Sequence, residues 1–352
     1  MKKKVYVGIS GGVDSAVSAL LLMKQGYDVT GVFMKNWSDD FGLSDECPWE
    51  VDLDSARKVC DQLGIELKVY NFEKQYRDLV LENFYQEYAL GNTPNPDILC
   101  NTFVKFDLFY RRCIEDGADY IATGHYASAS DGKLYRPLDS VKDQTYFLSR
   151  ISEEALRHTL FPLENLSKTE VREVAEKAEL HNYDRKDSQG ICFVGNVDIT
   201  EFLAERIKET PGSIVSYDTG EVLGEHTGIW FYTLGQRKGL RIGGAGKPYF
   251  VCGKNVEKNE LLVCQGRDHH ALSSSFIRLK ELTLINPNDK LDNYKELSMQ
   301  IRHRGKAIKV VSMAESDKGL EINLDEKLWC PAPGQYGAFY SGNQVVGSGI
   351  IM

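Results

Sequence analysis

The sequence lacks several features that would assign it to a class at once. No apolar run approaches the roughly 20 residues that a membrane-spanning helix needs, and the apolar segment after the basic N-terminus is too short for a signal peptide. None of the eight cysteines belongs to a Cys-x-x-Cys pair, which argues against a zinc ribbon and against the common iron–sulfur ligand sets. These absences predict a cytoplasmic protein without a membrane partner, in which paired cysteines would be catalytic rather than structural.

Positive charge is also scarce over the chain as a whole. The 352 residues include 42 lysines and arginines against 51 aspartates and glutamates, a net charge of −9, which disfavours indiscriminate nucleic-acid binding. Two local stretches are nevertheless basic, the glycine-rich residues 235–247 and residues 301–309. Cations on such segments suit phosphate contacts, although a solvated charged face explains each stretch alone equally well.

A glycine-rich turn near the N-terminus is the most informative stretch that is present. It follows the apolar run 5–9 and precedes the apolar run 16–23, which predict a strand and a helix. Glycines let backbone N–H groups face an anion, and a helix N-terminus favours negative charge. The hydroxyls of Ser10 and Ser15 add donors, whereas Asp14 would repel a bare phosphate and implies a metal ion or a repositioned side chain. A tight turn capped by Asp14 or Ser15 is the simpler alternative.

This turn fits neither of the two common nucleotide motifs. Asp14 stands where a Walker loop requires lysine, and the third glycine of the dinucleotide fingerprint is missing. The pattern Ser-Gly-Gly-x-Asp-Ser instead resembles the PP-loop of the ATP pyrophosphatases. Those enzymes cleave ATP between its α and β phosphates, adenylate a carbonyl oxygen and hold the released pyrophosphate in this loop.

The first 150 residues alternate between strand-like and helix-like segments, which predicts a doubly wound parallel sheet. The predicted strands are residues 4–9, 28–34, 66–72 and 119–123, and the predicted helices are residues 14–25, 52–63, 74–90 and 102–116. Ligands of such sheets bind beyond the carboxyl ends of the strands. The PP-loop, Met34 and the turn Thr123-Gly124-His125 should therefore share one edge, where Met34 is a candidate adenine contact.

Residues 91–101 form a rigid turn with two prolines and three asparagines, followed by a predicted helix. Cys100 is expected at or near the N-terminus of that helix, whose dipole would lower the pKa of its thiol. Asp97 could accept a proton or cap the helix. A buried structural cysteine preceded by an aspartate cap is the alternative.

Cys192 is the second isolated cysteine of interest. It lies in the loop-like, glycine-bracketed residues 190–195, downstream of Arg185 and Lys186. A small hydrophobe in a short strand is an equally good interpretation. Ahead of this stretch, Ser167-Lys168-Thr169-Glu170 has the pattern of a capping box for a helix over 171–180.

The pattern changes near Pro211, because residues 212–352 contain short β-prone runs separated by glycine and proline turns. This predicts one or two small β domains, including a barrel. The predicted domains are residues 1–200 for the ATP-binding catalytic unit, 201–271 for a central β-rich unit and 272–352 for the C-terminal barrel. A zinc site at His269 and His270 is not expected, because adjacent residues are poor co-ligands.

Taken together, the whole chain resembles the tRNA-specific 2-thiouridylases. The resemblance rests on long motifs that occur in order and show no departure at a key position: residues 8–15, 93–101, 122–126, 142–144, 187–195 and 232–246, with Ala-Pro-Gly-Gln at 332–335. It implies that the wobble uridine of a tRNA becomes 2-thiouridine. ATP, bound with Mg²⁺, would adenylate the uracil C2 oxygen, and sulfur from a persulfide would then displace AMP. A cysteine desulfurase or a persulfide relay carrier would donate the sulfur.

The resemblance also implies roles for individual residues. Cys192 would carry the persulfide, Cys100 would be the nucleophile or resolving thiol in a possible disulfide with Cys192, and Asp97 would be a candidate general base. The residues expected to bind ATP are Gly8, Ile9, Ser10, Gly11, Gly12, Val13, Asp14, Ser15, Met34 and Gly124. The flipped target base would contact Asn95, Pro96 and Asp97. The residues expected to contact tRNA elsewhere are His125, Lys142, Asp143, Gln144, Arg302, His303 and Gln335, and both β domains are expected to contribute.

Two other functions compete with this interpretation. A PP-loop ligase or amidotransferase acting on a small metabolite would explain the loop but would leave the cysteine pair and the basic β-rich half without a role. A non-catalytic RNA-binding or sulfur-carrier protein would need no nucleophile, although Cys100, Asp97 and Cys192 are all present.

Overall fold

A five-stranded parallel sheet organises the N-terminal half of the molecule. The computed structural model describes residues 2–37, 48–186, 199–204, 206–243 and 246–352. The strands run in the order β3-β2-β1-β4-β7, and all their pairings are parallel. They are β1 (Lys4–Gly8), β2 (Asp28–Lys35), β3 (Leu67–Asn71), β4 (Tyr120–Ala122) and β7 (Thr159–Leu160). The predicted strands are confirmed to within one residue at each end.

Helices cover both faces of this sheet, as the doubly wound prediction requires. The helices are α1 (Val13–Lys24), α2 (Pro48–Leu63), α3 (Glu73–Tyr76, Arg77–Leu81 and Glu82–Ala89), α4 (Pro96–Leu99, Cys100–Phe109 and Tyr110–Glu115), α5 (Glu153–Arg157), α6 (Lys168–Lys177) and α7 (Ile199–Ala204). Alternate residues of β1 point to opposite faces. Val5 and Val7 join the core under α1, α2 and α6, and Tyr6 joins the core under α3 and α4.

Local chemistry explains where several of these helices begin and end. Gly26 and Gly64 follow α1 and α2 with φ angles of +91° and +67°, the left-handed conformation that commonly ends a helix. The capping box at α6 is confirmed, because Ser167 accepts from Glu170 N and the Glu170 side chain accepts from the Ser167 backbone. Residues 77–81 and 100–109 of α3 and α4 are π-helical, a local widening that the apolar pattern did not predict.

The order of the strands creates the crevice in which a ligand is expected. From β1 the chain moves outward to β2 and β3, and it then returns to the other side of β1 to form β4 and β7. The switch point therefore lies between β1 and β4, where parallel α/β sheets bind ligands. The glycine-rich turn follows β1, and Gly124 follows β4, so the fold brings both to this crevice.

The C-terminal half consists of two β structures, one of which is a closed barrel. A four-stranded sheet has the order β10-β11-β8-β9. In the barrel, six strands follow the order β12-β15-β14-β13-β16-β17, and an additional β12–β17 pairing closes the ring. The strands are β8 (Gly212–Ser216), β9 (Val222–His226), β10 (Tyr249–Asn255), β11 (Glu260–Gln265), β12 (Ser273–Leu284), β13 (Ser298–Gln300), β14 (Ile308–Ser316), β15 (Gly319–Trp329), β16 (Tyr336–Ser341) and β17 (Gln344–Ile351).

Contacts between these three parts were not predicted from the sequence. A hairpin of β5 (Ser128–Ser130) and β6 (Lys133–Tyr135) leaves the N-terminal half and extends the barrel sheet by pairing with β17. In the central sheet, Lys254 Nζ donates to the carbonyl oxygen of Gly91 at 2.9 Å, and burial lowers its pKa to about 8. Within the described ranges, no helix is both long enough and apolar enough to cross a membrane.

Candidate active site

The nucleotide loop connects the end of β1 to the first turn of α1. Gly12 is the N-cap residue in an extended conformation, and no side chain caps this end of the helix. The first N–H groups of α1 therefore face the loop without a side-chain acceptor at the cap, which is the arrangement that binds phosphate in many proteins. Around it, Ser10 N–H donates to Ser15 Oγ at 3.2 Å, and Ser15 Oγ–H donates to the Gly12 carbonyl at 3.0 Å.

Two glycines of the site occupy positions that a larger residue would disrupt. Gly11 has a φ of +78°, and a Cβ there would lie 2.6 Å from the Asp52 carbonyl oxygen. A Cβ on Gly124 would lie 2.8 Å from the backbone nitrogen of Ser15. The turn after β4 thus packs directly on the beginning of α1, and the structure brings the predicted residue Gly124 into contact with the loop.

Asp14 is neutralised by a lysine that sequence reasoning missed as a site residue. Lys168 Nζ lies 2.7 Å from Oδ1 and 2.8 Å from Oδ2 of Asp14. The Tyr126 hydroxyl donates to Asp14 Oδ1 at 3.0 Å. The sequence implied a metal ion or a repositioned side chain at Asp14 and did not indicate this ion pair, which forms because α6 places Lys168 beside the loop.

The back of the loop is held by three side chains from distant parts of the chain. The Gly11 carbonyl accepts from Ser55 Oγ at 2.9 Å, Asn182 Nδ2 at 2.8 Å and Arg185 Nη1 at 3.1 Å. Arg185 also forms an ion pair with Asp52. Burial raises the pKa of the Asp52 carboxyl, although the guanidinium opposes that shift. These contacts fix the orientation of the Gly11 carbonyl and so the backbone of the loop.

Met34 lies beneath the loop rather than on an open surface. It is 9% exposed and belongs to the aromatic-rich core below α3 and α4. Its Cε would be 3.2 Å from a Cβ placed on Gly8. The structure therefore brings Met34 to the predicted edge of the sheet, in contact with the residue that begins the nucleotide loop.

The turn at residues 93–97 forms the second half of the site. Asn95 is the N-cap of α4, where its side chain accepts from Ile98 N at 3.2 Å, and Pro96 is the first helical residue. The predicted helix start near residue 102 was wrong, because this cap begins the helix at Pro96. Cys100 consequently lies in the second helical turn and is fully buried, and its N–H already bonds to the carbonyls of Pro96 and Asp97.

The C-terminal barrel contributes directly to this turn. Gln335 Nε2 donates to the carbonyls of Thr93 and Pro94 at 2.9 and 3.3 Å, and its Oε1 accepts from Asn95 Nδ2 at 3.3 Å. Thr93 N–H donates to the Pro333 carbonyl at 2.7 Å. The structure thus brings together two motifs, around residues 93–101 and 332–335, that are far apart in sequence.

A half-buried aromatic pair borders the same turn. The rings of His303 and Phe147 have centroids 4.8 Å apart, and Asn101 Nδ2 donates to the Phe147 carbonyl at 3.3 Å. Burial lowers the pKa of His303, so its imidazole is neutral at physiological pH. The neighbouring Arg302 instead contacts Trp329, whose carbonyl accepts from Nη2 and whose ring lies 5.5 Å from the guanidinium carbon.

The remaining predicted tRNA contacts already have partners inside the protein. Asp143 forms an ion pair with Arg136, and Gln144 Oε1 accepts from Tyr126 N at 2.9 Å. His125 Nδ1 lies 2.8 Å from Thr123 Oγ1, and burial holds its pKa well below the usual range. Lys142, beside Asp143, donates its backbone N–H to Asp139.

The segment 123–147 links the two halves of the site. It begins at Gly124 on the nucleotide loop, and Tyr126 then binds Asp14 through its hydroxyl and Gln144 through its backbone. Phe147 N–H donates to the Gln144 carbonyl at 3.0 Å, and the Phe147 ring contacts His303. Cys192 and the whole motif 187–195 lie outside the described residues, so the structure does not test the predicted cysteine pair.

A basic cavity lies apart from these two halves, in the central β structure. It has a volume of about 220 Å³ and contains the cations Arg237, Arg241 and Lys247 in its lining. No acidic side chain of the described residues lines it. Described residues of the predicted basic stretch 235–247 therefore line a positively charged concavity in a chain that is acidic overall.

Comparison with known proteins gives matches along the whole chain. Three family models match in order: the tRNA methyl transferase HUP domain at residues 3–196, the tRNA methyl transferase PRC-barrel domain at 200–265 and the aminomethyltransferase beta-barrel domain at 274–351. Three curated relatives carry the name tRNA-specific 2-thiouridylase MnmA. The protein of Mycoplasmopsis pulmonis is 43% identical and covers 99% of this chain and 96% of its own length. The protein of Halalkalibacterium halodurans is 46% identical and covers 99% of this chain and 94% of its own length. The protein of Klebsiella pneumoniae is 45% identical and covers 99% of this chain and 97% of its own length.

Proposed function

Because the chain belongs to the family of tRNA-specific 2-thiouridylases, we propose that it replaces the C2 oxygen of a tRNA wobble uridine with sulfur, using ATP. The observation that carries the proposal is the pairing of an anion-binding loop with the turn of α4 that bears Asp97 and Cys100. The segment 123–147 touches both, so one substrate could engage both halves.

The loop is suited to the pyrophosphate of ATP. The N-terminus of α1 has no side-chain cap, and the hydroxyls of Ser10 and Ser15 lie 3.3 Å apart beside it. Mg²⁺ prefers carboxylate and phosphate oxygens, and Asp14 is a fitting ligand. The described residues contain no cluster of three or more potential metal-ligating side chains, so the metal ion would arrive with the nucleotide.

ATP supplies the activation that the uracil carbonyl lacks. In the proposed reaction the C2 oxygen attacks the α-phosphate, pyrophosphate leaves into the loop, and the base becomes an adenylate whose AMP is a good leaving group. Nucleophilic sulfur can then displace AMP from C2. The side of the loop that faces α4 is where the base would need to lie, and Asn95, Pro96 and Asp97 are the proposed contacts for a flipped base.

Sulfur would arrive as a persulfide on Cys192, formed by a donor protein. In one route the terminal sulfur attacks C2 and AMP leaves, after which the Cys100 thiolate attacks Sγ of Cys192. That step forms a Cys100–Cys192 disulfide and releases the thiocarbonyl base. In the other route, the Cys100 thiolate attacks Sγ of the Cys192 persulfide, which forms the same disulfide and expels the terminal sulfur as sulfide; the sulfide then attacks C2 and AMP leaves. Asp97 precedes Cys100 by one helical turn and is the proposed acceptor of its proton.

The tRNA would extend from the site over both β structures. Gln335 and the His303–Phe147 pair border the proposed base site, and an aromatic pair suits stacking with an unpaired base. The cavity at Arg237, Arg241 and Lys247 is suited to the phosphate backbone. These surfaces would supply local positive charge to a protein whose net charge is −9.

Methyl transfer to tRNA is a second candidate, favoured by the descriptions of two matching family models. A methyl transfer does not consume ATP at a pyrophosphate loop, and it gives Cys192 and Cys100 no persulfide to handle. The mass of the modified nucleoside separates the two functions, because replacing oxygen with sulfur and adding a methyl group change the mass differently.

The test is a thiolation assay with unmodified tRNA, ATP, Mg²⁺ and either a persulfide or a sulfide donor. We expect 2-thiouridine in the digested RNA only with ATP and, with the persulfide donor, none from Cys100→Ser or Cys192→Ser. Cys113→Ser is the matched control. Cys113 lies on the same helix as Cys100, and burial raises its pKa, which leaves it unreactive. A methylated nucleoside, or thiolation that proceeds without ATP, would overturn the proposal.

A further inference from the structure

Lys168, the first residue of α6, places a cation against the nucleotide loop. Lys168 Nζ contacts both carboxylate oxygens of Asp14, at 2.7 and 2.8 Å. Only 13% of the Lys168 side chain is exposed, against 30% for Asp14. The lysine is therefore held inside the loop, on the carboxylate that would otherwise repel an incoming phosphate.

The backbone of Lys168 is fixed independently of this ion pair. Its N–H donates to Asp139 Oδ2 at 3.0 Å, and the capping box of Ser167 and Glu170 holds the first turn of α6. The flexible side chain can therefore exchange partners by rotation about its own bonds while α6 stays in place.

Asp14 also has a second partner that would remain after such an exchange. The Tyr126 hydroxyl donates to its Oδ1 at 3.0 Å. Tyr126 is 2% exposed, and its backbone N–H is bound by Gln144 Oε1. The carboxylate would thus keep its position when Nζ leaves.

We propose that Lys168 is the cation with which this chain binds the pyrophosphate of the nucleotide, and that Lys168 forms its ion pair with Asp14 only while the loop contains no phosphate. This rests on the proposed ATP-dependent function and assigns a phosphate-binding residue to it. When pyrophosphate oxygens enter, Nζ moves from the carboxylate to them. Asp14 is then free to bind the divalent cation that accompanies the nucleotide.

The exchange predicts that two substitutions at one ion pair have opposite effects. Removing the ammonium group in Lys168→Met eliminates the phosphate contact and leaves the Asp14 carboxylate in the loop without this counter-ion, although the Tyr126 hydroxyl still donates to it. Removing the carboxylate charge in Asp14→Asn releases the lysine from its competing partner. If the pair only supported the structure, both substitutions would weaken phosphate binding or neither would change it.

The experiment is calorimetric titration of the full chain with inorganic pyrophosphate without divalent metal. We expect Lys168→Met to bind about tenfold or more weakly, as loss of a charge-assisted hydrogen bond implies, and Asp14→Asn to bind more tightly than the unaltered protein. Lys177→Met is the matched control. Lys177 lies at the other end of α6, is 78% exposed and pairs only loosely with Glu173 at 3.5 Å, so we expect unchanged binding.

Thermal melts of each variant show whether it is folded, and Lys168→Arg, which keeps the charge, should retain most of the affinity. Unchanged pyrophosphate binding by folded Lys168→Met, or weaker binding by Asp14→Asn, would contradict the proposed exchange of Lys168 between Asp14 and pyrophosphate. Neither result would contradict the proposed thiolation, which its own assay tests. If the unaltered protein did not bind pyrophosphate at all, the exchange would be wrong, and the dependence of thiolation on ATP would separately decide whether ATP is used.

Discussion

Gly11 is the residue on which the geometry of the nucleotide loop depends most directly. Its backbone is left-handed, with a φ of +78°, and its carbonyl accepts hydrogen bonds from Ser55, Asn182 and Arg185. An added Cβ would meet the Asp52 carbonyl at 2.6 Å and Ser55 Cβ at 2.9 Å. Backbone atoms cannot move aside as the end of a flexible side chain can, so the loop itself would have to shift.

We therefore expect Gly11→Ala to lose most of its affinity for ATP. Gly26→Ala provides the comparison, because Gly26 also has a positive φ but has no atom within 4 Å of its Cβ position. Both variants should be destabilised by about 1–2 kcal/mol through left-handed strain, with the clash adding to the loss in Gly11→Ala. Equilibrium binding of ATP, with thermal melts alongside, measures both effects. Equal ATP affinity in the two variants would contradict this role of Gly11.

The sequence predicted the contiguous residues of the nucleotide loop, but it did not predict the distant residues whose side chains contact the loop. Ser10, Gly11, Asp14 and Ser15 form one recognisable pattern between a strand and a helix. Lys168 reaches the loop from more than 150 positions away, so only the packing of α6 beside α1 brings it there. Nothing in the local pattern around such a residue distinguishes it from an ordinary surface lysine.

Among the elements, α4 connects the two halves of the site. Its first turn carries Asp97 and leads to Cys100, and Phe109 further along approaches the Gly8 end of β1, with its ring 3.8 Å from a Cβ placed there. The sequence predicted this helix but began it six residues late, because prolines at 94 and 96 are typical of a turn. Proline is well tolerated at the first helical position, and Asn95 provides the cap.

For the helix α4, we expect Asn95→Ala to lose more thiolation activity than its loss of stability explains. Removing the cap should cost about 1 kcal/mol, and the substitution also removes the contact with Gln335. Ser152→Ala is the matched control, since Ser152 caps α5 by accepting from Ala155 N but has no role in the proposed site. Denaturant midpoints and thiolation rates of the two variants separate the effects. Similar loss of activity in both would mean that Asn95 acts only as a cap.

For the whole molecule, the amino-acid sequence predicted the order of the α/β and β-rich parts along the chain better than the contacts between those parts. Alternating segments indicated the parallel sheet, and short β-prone runs indicated a barrel in the C-terminal half. The hairpin of β5 and β6, which extends the barrel sheet, was not predicted, because it consists of two three-residue strands with little periodicity. The link between Gln335 and residues 93–95 likewise depends on tertiary packing.

The central cavity should contribute to tRNA affinity through charge alone. Replacing Arg237 with alanine should reduce the slope of log binding constant against log salt concentration by about 0.7–0.9, the effect of losing one phosphate contact. Lys318→Ala is the control, because Lys318 is an exposed cation in the turn between β14 and β15, away from the cavity. Binding of unmodified tRNA over a range of salt concentrations gives both slopes. An unchanged slope for Arg237→Ala would exclude this cavity as a phosphate site.

The most direct test of the whole account follows the oxygen that sulfur replaces. We would prepare tRNA with a heavy oxygen isotope at C2 of the wobble uridine, allow one round of thiolation with ATP, and analyse AMP by mass spectrometry. Adenylation of the base predicts that the heavy oxygen appears in the phosphate of AMP, in an amount equal to the 2-thiouridine formed. Heavy oxygen released into water or into pyrophosphate, with unlabelled AMP, would contradict the proposed mechanism.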